Sequence, residues 1–122
     1  MILADTSVWI DHLRKTDPML VALLNGGHVL WHPYILGELA LGHLKQRKMI
    51  LSALQNLPQA RVAHDDEVVG MIDRWALFGR GIGYIDAHLL ASIPLSPATL
   101  LWTRDQRLRT VAEALGLHAS WK

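Results

Sequence analysis

Four carboxylates stand where a purely structural role does not readily explain them: Asp5, Glu38, Asp86 and Asp105. Asp5 follows the apolar run Ile2-Leu3-Ala4, and Asp105 follows the segment Thr99-Leu-Leu-Trp-Thr103. Each sits where a strand gives way to a helix, and in open α/β sheets that edge is where ligands bind. Glu38 is the only acid in Tyr34-Ile-Leu-Gly-Glu-Leu-Ala-Leu-Gly42, and Asp86 the only acid in Gly83-Tyr-Ile-Asp-Ala-His-Leu-Leu-Ala91. Neither stretch carries Lys or Arg, so an acid buried there needs a partner from elsewhere in the fold. Carboxylates gathered together repel one another and raise each other's pKa. A divalent cation removes that conflict, and an all-oxygen donor set suits Mg²⁺ or Mn²⁺ rather than zinc. Such centres activate water and stabilise in-line displacement at phosphorus, so the chemistry is phosphodiester hydrolysis. Simpler roles stay open at this point. Asp5 and Asp105 also suit helix N-caps, Asp86 falls near a helix start, and Glu38 also suits the surface of an amphipathic helix.

The elements that must position these acids alternate between strand and helix. Ile2–Ala4 reads as a strand buried on both faces, because it is apolar without alternation. Thr6-Ser7 can cap a helix carrying Val8, Trp9, Ile10 and Leu13. Asp17-Pro18 opens a second helix that stops at Asn25-Gly26-Gly27. Val29–Trp31 is a second strand, and Pro33 opens the helix of Glu38. A helix over about Lys45–Leu57 follows, then a short strand over Ala60–Ala63. Asp65-Asp66-Glu67 places three acids in the first turn of the next helix, where the helix dipole favours them. Glycines 79, 81 and 83 end that helix. The helix of Asp86 spans roughly Tyr84–Ile93 and is closed by Pro94 and Pro97. Thr99–Thr103 is the clearest strand, Gln106–Leu115 the last helix, and His118–Trp121 a final short strand. This alternation predicts an α/β layer fold with a mainly parallel sheet.

The remaining acids have structural explanations: Asp11 on a polar helix side, Asp17 as a cap, and Asp73 and Glu113 among polar neighbours. Among the basic residues, Arg104 and Arg107 flank Asp105, and Arg80 lies just before the Asp86 helix. Arg80 and Arg104 are candidates to hold phosphate, to contact a partner, or to neutralise the acids. Lys45, Arg47 and Lys48 read as a solvated helix face. Gly79-Arg-Gly-Ile-Gly83 fits neither the GxGxxG nor the Walker pattern and reads as a turn. The seven histidines show no convincing metal spacing and read as structural or surface groups. Five tryptophans are many for this length. Trp102 reads as core, whereas Trp9 suits core and partner surface equally.

With 122 residues, 51% of them hydrophobic, the chain suits one domain, 1–122, with a real core. The absence of Cys excludes disulfide scaffolds, thiolate zinc sites, iron–sulfur clusters and cysteine nucleophiles. A net charge of +1 means that any basic surface must be local. No apolar run approaches the ~20 residues of a membrane span. Met1–Asp5 has neither the basic region nor the cleavage site of a signal peptide, so the expected location is the cytoplasm.

Taken in order, Asp5-Thr-Ser-Val-Trp-Ile-Asp11, the Glu38 helix, Gly83–Ala91 and Thr103-Arg-Asp105 resemble the PIN-domain ribonucleases. Among these, the chain is similar to the VapC-type toxins of bacterial toxin–antitoxin pairs, over essentially its whole length. The resemblance implies a PIN-like three-layer α/β/α sandwich with a mainly parallel sheet of four to five strands. It implies a Mg²⁺- or Mn²⁺-dependent endoribonuclease in which Asp5, Glu38, Asp86 and Asp105 serve as catalytic acids and metal ligands. Ser7 matches a family position near the metal that hydrogen-bonds water or phosphate, and Thr103 is placed at the same crevice. Hydrolysis by an activated water would leave a 5′-phosphate and a 3′-hydroxyl, with no His required. A homodimer is implied, as is a cognate antitoxin whose C-terminal segment wraps the toxin.

Two rival readings use the same residues. Another Mg²⁺-dependent phosphoryl hydrolase fits less well. A haloacid-dehalogenase-type phosphatase needs a second Asp two positions after the first, where this chain has Ser7. A receiver domain needs an acidic pair after strand one and a Lys after the last main strand, where this chain has Thr6 and Arg104-Asp105. The other rival is a PIN-like protein that binds RNA or an antitoxin without catalysis.

Overall fold

The computed structural model describes residues 1–121 and leaves Lys122, the last residue of the expected domain, outside the described residues. The elements run β1 (Ile2–Ala4), α1 (Thr6–Arg14), α2 (Pro18–Asn25), β2 (Val29–Leu30), α3 (Pro33–Ala40), α4 (Arg47–Gln55), α5 (Asp65–Arg74), α6 (Tyr84–Leu95), β3 (Leu100–Trp102) and α7 (Gln106–Ala114). The strands form a parallel sheet in the order β2-β1-β3, with Leu3 facing Leu30 on one side and Leu101 on the other. Parallel single bridges extend both edges, Trp31 to Gln59 and Leu101 to His118. Three strands are thus flanked by two further segments, against an expected four to five strands. The short strand expected over Ala60–Ala63 is reduced to its entry: the Trp31 N–H donates to Pro58 O, and the Ala60 N–H donates to Trp31 O.

The strand order has a consequence for chemistry. From β1 the chain moves outward to β2 and the Gln59 bridge. It then returns across the sheet to β3, on the other side of β1, and continues outward to the His118 bridge. Crossovers between parallel strands are right-handed, so a reversal of direction moves the connecting helices to the opposite face. Contacts agree: α1 packs on α3 and α3 on α4, while α5 packs on α6. The change of face falls between β1 and β3, and at such a switch point an open α/β sheet leaves a crevice at the C-terminal ends of its strands.

One continuous core holds these layers together. Leu3, Ala4, Leu101, Leu89, Leu90 and Leu108 are buried within it. Residues Ala87–Ile93 of α6 are all buried, so this helix is enclosed on every side and shows no apolar stripe. It continues through Pro94 to Leu95, past the expected stop. Pro94 has no N–H to give the Leu90 carbonyl, and the helix ends one residue after it, at Leu95. Trp9 and Trp102 are both buried, which places Trp9 in the core. Trp121 stacks edge-on against Trp102 at 5.0 Å.

His32, which caps α3 by accepting from the Tyr34 N–H at 3.0 Å, is fully buried. Burial, with a further contribution from His88, lowers its pKa from 6.5 to about 4. A histidine that resists protonation only in the fold destabilises it as the pH drops below the unfolded value. Stability should therefore fall between about pH 6.5 and pH 4, by at most about 3 kcal/mol from this group. Denaturant unfolding across this range should show the loss, and His32→Gln should flatten it.

Candidate active site

The four acids singled out in the sequence come to the crevice from four different elements. Asp5 ends β1, Glu38 lies on α3, Asp86 on the first turn of α6, and Asp105 follows β3. Both strand-end acids are also N-caps. The Val8 N–H donates to Asp5 Oδ1 at 3.3 Å, and the Leu108 N–H donates to Asp105 Oδ1 at 3.0 Å. Capping and site position are therefore compatible rather than alternative. Asp5 takes the α1 cap that the sequence suggested for Thr6-Ser7.

Asp5 is the anchor, only 5% exposed. The Ser7 hydroxyl donates to its Oδ1 and the Thr103 hydroxyl to its Oδ2, each at 2.5 Å. Thr103 Oγ1 also accepts the Asp105 N–H at 3.0 Å, and Ser7 Oγ accepts the Arg104 N–H at 2.9 Å. Two hydroxyls thus stitch the end of β1 to the loop after β3. Burial raises the Asp5 pKa, and the hydrogen bonds from Ser7, Thr103 and Val8 oppose that rise. Thr6, next along the chain, donates to Glu38 Oε1 at 2.7 Å and holds α3 to the same edge.

Asp86 carries the clearest electrostatic signature. Burial raises its pKa, the Gly83 N–H (3.2 Å to Oδ2) lowers it, and the charges of Asp105, Asp5 and Glu38 raise it further. All four acids therefore act on one neighbourhood. Among the described residues, no three His, Asp or Glu side chains stand close enough to hold one ion as placed. Glu38 Oε2, Asp86 Oδ1 and Asp105 Oδ2 nevertheless make no hydrogen bond among the described residues, while their other oxygens are engaged. Hard oxygen donors under mutual repulsion fit a Mg²⁺-class cation in their chemistry.

The basic candidates separate. Arg104 spends its guanidinium on Asp11 Oδ2 (2.7 Å) and Asp17 Oδ2, lying over the Trp102 ring at 5.6 Å. It ties the β3–α7 loop to the α1–α2 elbow. Its contribution to the crevice is the backbone N–H that holds Ser7. Arg80 is exposed and makes no ion pair or hydrogen bond among the described residues. Sequence reasoning missed Thr6 as the partner of Glu38, and His118, whose Nε2 accepts the Thr103 N–H at 3.3 Å. Neither pairing leaves a local signal, since the partners are 32 and 15 residues apart.

Comparison with known proteins agrees with this geometry. The PIN domain family model matches residues 2–114. The chain belongs to the PIN-domain family, among the VapC-type ribonucleases. It is 48% identical over 117 residues to Ribonuclease VapC32 of Mycobacterium tuberculosis strain CDC 1551 / Oshkosh, spanning 96% of this chain and 94% of the relative. The same figures hold for Ribonuclease VapC32 of strain ATCC 25618 / H37Rv.

A carboxyl whose pKa is raised in the fold destabilises that fold once ionised. Stability should thus fall as the pH rises from 3.8 through the raised values of Asp5 and Asp86. Asp86→Asn should remove its share and melt at or above the wild-type temperature in metal-free buffer at pH 7. Added Mn²⁺ or Mg²⁺ should raise the wild-type Tm, since about 2.7 kcal/mol accrues at a hundredfold excess over Kd. Asp86→Asn should lose that response in the same thermal melts.

Proposed function

We propose that this chain is a divalent-metal-dependent endoribonuclease of the toxin type, kept silent by a cognate antitoxin. The observation that carries the reading is the coupling of Asp86 to Asp5, Glu38 and Asp105 above the ends of β1 and β3. The family membership and the ribonuclease relatives support RNA as the substrate. Asp5, Glu38, Asp86 and Asp105 would hold Mg²⁺, with Mn²⁺ able to replace it. Bound there, such a cation would activate water and stabilise charge developing at phosphorus.

The chain's own residues do the positioning. Asp5 is fixed on both oxygens, so it defines where the other acids converge. Ser7 gives its one hydroxyl proton to Asp5 and accepts the Arg104 N–H, which leaves a lone pair for a water at the crevice; a contact to phosphate would need that proton released from Asp5. Thr103 links Asp5 to Asp105 and keeps the two strand ends in register with each other. Arg80 supplies positive charge at the entrance for the RNA backbone. Arg104, with its guanidinium paired, serves through its backbone rather than as a phosphate ligand. We further propose that the whole of 1–122 is one such domain, that it acts as a homodimer, and that it works in the cytoplasm. No helix among the described residues is long and apolar enough to cross a membrane.

The test is incubation of the purified protein with bacterial total RNA and Mg²⁺ or Mn²⁺, followed by mapping of the new ends. The expected products carry 5′-phosphates and 3′-hydroxyls, and chelation should abolish them. Asp86→Asn should cut at least about a hundredfold more slowly, the usual scale for losing a positioned catalytic group. Cutting that survives both chelation and Asp86→Asn would overturn the reading.

A further inference from the structure

Beside the acid crevice lies a second feature that the acids do not use. Ile72 of α5, Phe78 and Ile82 of the glycine-rich loop, and Gly83, Tyr84 and Ala87 at the start of α6 enclose a hollow of about 230 Å³. Its walls are apolar, yet two aromatic rings at its rim are open to solvent: Phe78 is 67% exposed and Tyr84 45%. Two contacts hold the Tyr84 ring: its hydroxyl donates to Asp65 Oδ1 at 3.1 Å, and it packs at right angles to the buried His88 ring, centroids 4.9 Å apart. Phe78 sits in a loop whose path depends on left-handed glycines, with φ of +71° at Gly79 and +78° at Gly81. A Cβ at Gly81 would lie 2.9 Å from Arg107 Cδ, so the Arg107 side chain crosses this loop directly. Arg80 and Arg107 are both exposed, and neither forms an ion pair among the described residues.

The hollow adjoins Asp86 through two of its lining residues. Gly83 lines it and donates its N–H to Asp86, and Ala87 lines it one residue beyond Asp86. A strand whose phosphodiester lies against Asp86 carries a base on each side of that bond. Unpaired bases are recognised by stacking on aromatic faces, with Arg or Lys on the flanking phosphates. We propose that this hollow seats one unpaired nucleobase next to the bond to be cut, stacked on Phe78 and Tyr84, with Arg80 and Arg107 holding the adjoining backbone. The proposal rests on the nuclease reading above and adds to it the place where the base beside the cut is held.

The test compares Phe78→Ala, Phe78→Leu and Phe78→Trp, since Phe78 is exposed and its loss leaves the core intact. Binding of fluorescein-labelled single-stranded RNA homopolymers is read by anisotropy in an Asp86→Asn background that cannot cut. Phe78→Ala should weaken binding roughly five- to a hundredfold, the range of one base–aromatic stack. Phe78→Leu should behave like Ala, and Phe78→Trp should restore binding, because the π-face rather than apolar bulk is required. Arg80→Ala should lower the salt slope of log Kd by about one contact. In the cutting enzyme, Phe78→Ala should raise KM more than it lowers kcat. Equal affinity of the Ala and Trp forms, or full affinity of the Leu form, would overturn the proposal. So would unchanged RNA binding with a loss of self-association in sedimentation, which would make the patch a contact between copies. A wild-type protein that cuts no RNA would defeat the nuclease reading, while the binding series would still decide the stacking site.

Discussion

A buried carboxylate must have its charge answered, and the crevice of this protein is organised around that demand at Asp5. Water is excluded from Asp5, so hydrogen bonds from Ser7, Thr103 and the Val8 N–H take its place. The donors come from two pieces of the fold: Ser7 and Val8 in the first turn of α1, and Thr103 just after β3. Satisfying one carboxylate therefore fixes two strand ends and a helix start together. Removing the Thr103 hydroxyl would leave Asp5 Oδ2 without a donor, and an unsatisfied buried acceptor costs more than the bond itself is worth.

The other acids are held in a different way. Glu38, Asp86 and Asp105 each use one oxygen on a single donor and keep the second uncommitted. They repel one another, and the helix starts, caps and core behind them absorb that cost. A crevice of this kind is strained in its electrostatics and stable in its packing. That division suits chemistry in which an added cation and a polyanionic strand supply the missing charge balance.

Around the crevice, positive charge is divided between structure and surface. Arg104, the guanidinium nearest in sequence to Asp105, is bound to Asp11 and Asp17 and closes the α1–α2 elbow onto the β3–α7 loop. Arg80 and Arg107 remain exposed at the glycine-rich loop, beside the aromatic rim of the second hollow. The sequence offered Arg80 and Arg104 alike for phosphate, a partner or the acids, and the fold separates them, because pairing is decided by which helix ends lie opposite in space.

Much of this protein was legible in its residues. The apolar runs ending in Asp5 and Asp105 marked both strand ends, and the lone acids Glu38 and Asp86 stood out against charge-poor helices. Local chemistry dictates such signals, since Asp favours a helix N-cap and a lone carboxylate in an apolar helix is unusual wherever the chain goes. The tertiary structure alone decided that the four share one neighbourhood, because that depends on β3 returning to the far side of β1. It alone paired Thr6 with Glu38, Thr103 with Asp5, and Arg104 with two distant aspartates. The partners lie 32 to 98 residues apart, and no periodicity or composition records contacts over such separations. Residue type sets what a side chain can do; strand order sets which side chains do it together.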